Sequence, residues 1–368
     1  MSAKNKRYPD WWILLASLGL LAVGLIMVFS SSAYVAAYDY DDAYFFLRSQ
    51  GIAAALGIAG MFLAYHVRMR TLRALAWPGA LVALGVLIFM VTSANIPSIG
   101  GTVRFLQLGG YSFQPSEICK LALPLFLAKF LSDNLPRIRE FKTVYVPAII
   151  AVGLPSVLIV AQPDLSSGVV VAATGFIMLF CAGIRAIYLL GTAGLGASLV
   201  AVAIIIEPYR LERLYSWLDP WSDPSNSGLQ MVQSLLALGN GGLSGAGLGA
   251  GGSKWYYLPE GYNDFIFSVL GEELGFVGAF FVILLFVLLL WRGLMVAARA
   301  QDTFSSLLAL GLTSSLGVQT LINLGVVTGL LPVTGVTLPF ISHGGSSLLV
   351  SLIAVGLLLN ISRQQKSN

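Results

Sequence analysis

The sequence predicts an all-α polytopic membrane protein, with ten transmembrane helices and a large extracytoplasmic loop between helices seven and eight. Three observations carry this reading. The chain is 57% hydrophobic and only 10% charged, against roughly 25% charged in soluble domains. Uncharged windows near the ~20 residues that cross a bilayer recur along it. The basic residues gather on one set of connecting loops. One integral membrane domain over 1–368 accounts for the whole chain, with 207–263 as the large loop within it.

The first window, 11–30, follows Lys4, Lys6 and Arg7 as a secretory signal would. Its apolar core exceeds the ~7–15 residues of such a signal, so it is read as a retained helix. Windows 49–65 and 74–93 supply the second and third helices. The fourth, about 116–132, carries Glu117, Lys120 and Lys129 in an otherwise apolar stretch. Windows 143–161, 165–184 and 186–206 follow, then 274–291 as the eighth. The run 303–362 contains no Asp, Glu, Lys or Arg, and Pro332 and Pro339 divide it into the last two helices.

With both termini cytoplasmic, the inner loops collect 15 of the 21 basic residues. The positive-inside rule supports that orientation. The acids do the reverse: 13 of 17 lie outside or in the outer halves of helices. The functional polar groups are therefore expected on the outer side. A net charge of +4 does not by itself indicate nucleic acid. Cys119 and Cys181 have neither disulfide-framework nor metal-ligand spacing and are read as small core residues.

The large loop holds Trp217, Trp221, Trp255 and a tyrosine pair, with an amphipathic segment near GLQMVQSLLALG. Its length marks it as functional or disordered. The glycine-rich 245–253, GAGLGAGGS, has the composition of a phosphate loop, but no strand precedes it. A flexible hinge is the expectation.

Four helices of even number begin on the outer side, at QPSE, QPDLSS, YNDF and PFISHGGSS. Each start offers Ser, Asp or Asn where an N-cap belongs. Each also presents unpaired N–H groups and the positive end of the helix dipole. Converging, they would form an anion site suited to phosphate, with Arg104, Lys120, Arg210 and Arg213 nearby and Asp164, Ser342, His343, Ser346 and Ser347 at the starts themselves.

Glu117 and Lys120 stand three apart and share a helix face, so a mutual ion pair is expected. It serves either as a packing pin or to hold Lys120 for a phosphate. Asp264 lies where the large loop enters helix eight. Eight residues on, Glu272 is ~12 Å along the helix and ~80° around it, too far for the two-acid arrangement of glycoside hydrolases. Asp264 is thus a single base or an N-cap, and Glu272 and Glu273 are expected in buried polar contacts. His343 has no acid partner in sequence and is assigned to helix entry or ligand contact.

Several stretches resemble the SEDS proteins (shape, elongation, division and sporulation), the peptidoglycan glycosyltransferase family of FtsW, RodA and SpoVE. They are GGTVRFLQLGGYSFQPSEICKLAL, VAQPDLSSG, the run from YRLERLYSWL to GLSGAGLG, YLPEGYNDFIFSVLGEELGFVGA and GLLPVTGVTLPFISHGGSSL. The last is similar to the FtsW and SpoVE branch. His343 departs from the Tyr of many members. The resemblance implies a plasma-membrane polymerase that joins lipid II into undecaprenyl-diphosphate-linked glycan on the outer face. It implies Asp264 as catalytic residue, with Arg104, Glu117 and Lys120 as further functional positions. It also implies a class B penicillin-binding protein as partner, within a division or elongation complex. No cofactor is implied for certain, and a divalent cation is left open. A lipid II flippase and a non-catalytic scaffold are the competing readings. A transporter would place its polar groups at the midplane, whereas the embedded charges here cluster toward one end.

Overall fold

The computed structural model describes residues 9–93, 104–108, 111–253 and 258–364. Lys4, Lys6, Arg7, Lys366, Trp255 and the tyrosine pair lie outside the described residues.

The chain is almost wholly helical. In order come α1 (Trp11–Tyr40), α2 (Phe45–His66) and α3 (Met69–Thr92), then a small antiparallel hairpin of β1 (Leu106–Leu108) and β2 (Tyr111–Phe113). Next are α4 (Pro115–Asp133), α5 (Val146–Val160, entered through a π-turn at Phe141–Tyr145), α6 (Leu165–Cys181) and α7 (Ala186–Ile206). Two short helices, α8 (Pro208–Leu218) and α9 (Leu229–Gly241), occupy the expected large loop. The chain ends with α10 (Ile266–Ala298), α11 (Thr303–Val327) and α12 (Gly345–Arg363).

Eight of the described helices are long and apolar enough to cross a membrane. Two of the ten expected spans are not among them. α6 is apolar but only 17 residues long, and α4 carries Glu117, Lys120, Lys129 and Asp133. Both form as helices where the sequence places them.

α11 and α12 are the most buried of the long helices, and α7 is almost entirely exposed. α12 lies along α2 through small residues: a Cβ at Gly356 would sit 2.3 Å from the Met61 carbonyl oxygen, so only glycine permits this approach. At the far end of the same pair, buried Asn360 donates to the carbonyls of Ala64 (2.9 Å) and Val67 (2.7 Å), fixing the α2–α3 turn. There too Asp10 caps α1, pairs with Arg292 (2.5 Å) and donates its backbone N–H to Ser362 (3.1 Å). These bonds hold the ends of α1, α10 and α12 at one level.

α10 is broken at Gly275, whose φ of 67° and ψ of −171° suit glycine alone. The glycine-rich segment after α9 closes the break. Ala246 and Gly247 donate to the carbonyls of Glu272 and Glu273 (both 2.9 Å), and Phe276 and Val277 donate to those of Gly242 (2.9 Å) and Leu243 (3.2 Å). The segment read as a hinge is thus a strap bonded to the helix, because backbone groups released by the break need partners in an apolar setting. A second correction concerns the cysteines. Cys119 is buried as expected, but Cys181 is exposed on the last turn of α6.

Candidate active site

Asp264 is two residues before α10, half-buried, at the end of the tight turn that follows Glu260. It does not cap the helix: Phe265 occupies the N-cap position, with no side-chain hydrogen bond. Its backbone carbonyl accepts from Asn323 of α11 (2.8 Å). A Cβ at Gly335 would lie 3.4 Å from Asp264 Oδ2, so the segment before α12 passes close over the carboxylate. Burial pushes the Asp264 carboxyl up to about 7, and the Glu260 and Asp164 carboxylates push the same way. Arg213 and Arg104 oppose them. Asp264 therefore stands among two arginines and two other acids, with its affinity for protons near neutrality.

The four helix starts come together, held by hydrogen bonds between them. Gln114, at the start of α4, donates its backbone N–H to Ser346 of α12 (3.0 Å) and its side-chain amide to Asp164 at the start of α6 (2.9 Å). The His343 backbone N–H, before α12, donates to the Tyr262 carbonyl ahead of α10 (3.0 Å). Only one start is capped as expected: Asp164 accepts from the Ser167 N–H (3.1 Å). Gln114, Phe265 and Gly344 hold the other N-cap positions without side-chain bonds. The candidate capping groups there are engaged between helices, or in the case of Asp264 with other charges. The arginines reach in from the sides. Arg104 donates to the Pro163 carbonyl, and Arg213 to that of Val333 (3.2 Å). Arg210 is half-buried on α8, one turn before Arg213.

Below this cluster is the expected ion pair. Lys120 Nζ is 2.6 Å from Glu117 Oε1, and both side chains are buried. Lys120 also donates to Gln319 (2.8 Å). The Gln319 amide in turn donates to the Thr337 carbonyl (2.9 Å) and to Ser347 Oγ (3.2 Å). The pair thereby braces the segment that enters α12, and Lys120 is occupied by two protein oxygens. Ser342 is likewise engaged: its hydroxyl accepts from the Leu338 N–H (2.8 Å) and its carbonyl from Gln50 (3.0 Å).

His343 packs its ring against Phe46 and Tyr262. Burial lowers its pKa to about 4, so the imidazole is neutral near pH 7 and brings no positive charge to the cluster. Glu272 accepts from the backbone N–H groups of Gly252 (3.0 Å) and Ser253 (3.1 Å) and from the Ser253 hydroxyl. Glu273 accepts from Ser30 of α1 (2.6 Å). The two acids diverge into buried contacts, as their spacing requires. Among the described residues no cluster of three or more His, Cys, Asp or Glu could hold a metal ion. A cation that bridges substrate phosphates needs fewer protein ligands than that.

The sequence reading passed over Asn323 and Gln319. They stand four apart on α11, hence on one face, inside a run without formal charge. Two amides at that spacing in a membrane helix are themselves a signal of polar contact.

The family model for the cell cycle proteins FtsW, RodA and SpoVE matches residues 11–367. Stage V sporulation protein E of Bacillus subtilis (strain 168) is 44% identical over 366 residues, 98% of this chain and 99% of that protein. A probable peptidoglycan glycosyltransferase FtsW of Geobacter metallireducens is 41% identical, over 98% of this chain and 96% of the relative. Among solved structures, the rod shape determining protein RodA of Thermus thermophilus superposes with a TM-score of 0.73 at 28% identity, over 98% of each chain. A chain from a peptidoglycan synthase complex, described as coordinating polymerization and crosslinking, superposes with a TM-score of 0.76 at 31% identity, over 97% of this chain and 99% of that one.

Proposed function

This chain belongs to the FtsW, RodA and SpoVE family and is a multi-pass membrane peptidoglycan glycosyltransferase; we propose that it polymerises lipid II with Asp264 as general base. The observation that carries the proposal is the Asp264 carboxyl, pushed up to about 7 between Arg104 and Arg213 where four helix starts meet. A general base works best when its pKa lies near the working pH.

In the proposed reaction Asp264 takes the proton from an acceptor sugar hydroxyl of lipid II. The freed oxygen pair forms a bond to the anomeric carbon of a second lipid-linked sugar. The bond from that carbon to undecaprenyl diphosphate breaks, and the diphosphate leaves with the electron pair. Arg104, Arg213, Arg210 and the N–H groups of the helix starts face the charge that develops on it. Glu117 and Lys120 act one layer below, through Gln319, by holding the entry to α12 in place.

The ten helices are proposed to cross the membrane, α4 and α6 included, with both termini cytoplasmic and 207–263 extracytoplasmic. A carboxylate at the membrane boundary suits a sugar whose lipid anchor stays in the bilayer. The proposed partner is a class B penicillin-binding protein in a division, sporulation or elongation complex. The synthase complex among the similar structures supports a transpeptidase alongside the polymerase.

The test is polymerisation in detergent micelles. Purified protein, alone and with its transpeptidase, is supplied with lipid II, and glycan strands are resolved by length. A flippase needs two compartments, so strand formation in micelles separates the readings. No strands under either condition would remove the enzymatic reading.

A further inference from the structure

The end of the bundle opposite Asp264 carries a second polar site. A cavity of about 430 Å³ opens between the α2–α3 turn and the end of α12. His66, Arg68, Asn360, Arg363 and Gln364 line it, with Val67 and Met69 at its apolar edge, and no carboxylate is among the lining residues.

Acids at the ends of α1, α4 and α11 are committed elsewhere. Asp10 pairs with Arg292, Asp133 lies 3.7 Å from Arg73, and Asp302 caps α11 through the Ser305 N–H. Arg68 and Arg363 form no ion pair among the described residues. The site is also built: Asn360 holds the α2–α3 turn, Gln364 donates to Asn360 Oδ1 (2.9 Å), and Arg363 stacks on Tyr65, its guanidinium 4.7 Å from the ring centre. A cavity with two arginines that form no ion pair among the described residues suits a phosphate group.

Its depth indicates where the phosphate comes from. Trp11, Trp12 and Trp291 are each more than half exposed. The Asp10 bonds to Arg292 and Ser362 bring all three to the level of Arg363. Exposed tryptophans mark the headgroup layer of a bilayer, and basic pockets between helices at that depth suit anionic headgroups. We propose that this cavity binds the phosphate headgroup of an anionic membrane lipid.

The experiment follows thermal unfolding of the full-length protein in neutral detergent while phosphatidylglycerol, phosphatidylcholine or inorganic phosphate is titrated in. Phosphatidylglycerol should raise the melting temperature saturably, and the other two should not. Arg68→Gln and Arg363→Gln should each raise the midpoint of that titration about fivefold, and together about 25-fold. Arg363→Lys, which keeps the charge but loses the guanidinium stacked on Tyr65, should fall between wild type and Arg363→Gln. Polymerisation measured without anionic lipid should be unchanged in all of them. Equal effects of the two lipids, or an unchanged midpoint in the double variant, would overturn the proposal. Equal saturation by inorganic phosphate would overturn the lipid assignment in favour of a soluble anion.

Discussion

One nitrogen of Asn323, its side-chain Nδ2, bonds the backbone carbonyls of both Asp264 (2.8 Å) and Val336 (2.6 Å). The amide thus ties the turn ahead of α10 to the segment that precedes α12, from a position 1% exposed on α11. Removing it leaves two carbonyls without this donor in a setting that water reaches poorly. Asn323→Ala should cost about 1–3 kcal/mol in stability and lower polymerisation at least tenfold by loosening Asp264. Asn323→Asp, equal in size but without the donor, should lose activity comparably. Wild-type turnover in the aspartate variant would show that the bond does not position the base.

The buried pair on α4 gives a different pattern. Glu117→Ala or Lys120→Ala leaves one charge uncompensated and should cost about 3–5 kcal/mol, read as loss of the folded protein on heating. Glu117→Gln with Lys120→Met removes both charges together and should recover most of the stability. If either single variant melts like wild type, the pair is not a brace.

At Gly275 the backbone itself is the constraint. Besides the positive φ, a Cβ would lie 2.3 Å from the Gly245 nitrogen, where the strap crosses α10. Gly275→Ala should destabilise by more than about 2 kcal/mol and separate the strap from Glu272. Alanine at Gly79, with open space around its Cβ position, should not. Comparable melting of the two variants would mean that the strap does not depend on the break.

Helix positions were legible because hydrophobic length alone sets them, and the window 186–206 matches α7 to the residue. The Glu117–Lys120 pair was legible because three residues on a helix is a fixed geometry. The strap was not. Glycine composition reports conformational freedom, but its backbone partners at residues 272–277 lie across the fold. The caps failed for a related reason: Ser346 and Asp264 have capping chemistry, yet tertiary neighbours claimed the one and local charges surround the other. Asn323 and Gln319 were missed because attention to formal charge passes over amides.

The topology is open to direct labelling. With Cys119 and Cys181 replaced, single cysteines at Gln230 in the large loop and at Arg70 beyond α2 report opposite sides of the membrane. An impermeant thiol reagent applied to intact cells should label position 230 and spare 70, as the asymmetry of basic residues requires. The reverse pattern would invert the orientation and move Asp264 to the cytoplasmic face.

The ionisation of Asp264 links stability and activity. Its folded pKa, about 7, lies above the ordinary 3.8, so the folded protein holds a proton that the unfolded chain has already released. The contribution of Asp264 to stability is therefore highest below about pH 4, declines as pH rises toward 7, and stays reduced beyond it. Asp264→Asn removes that cost, so its melting temperature should match wild type at pH 4 and exceed it at pH 8. Catalysis needs the carboxylate, so wild-type kcat/KM for lipid II should climb with pH and level off above about 7. Arg213 stabilises the ionised form, and Arg213→Gln should move the rising limb to higher pH. Glu260→Gln should move it lower. The asparagine variant should be stable and inactive at every pH. Undiminished strand formation in that variant would show that Asp264 is not the base.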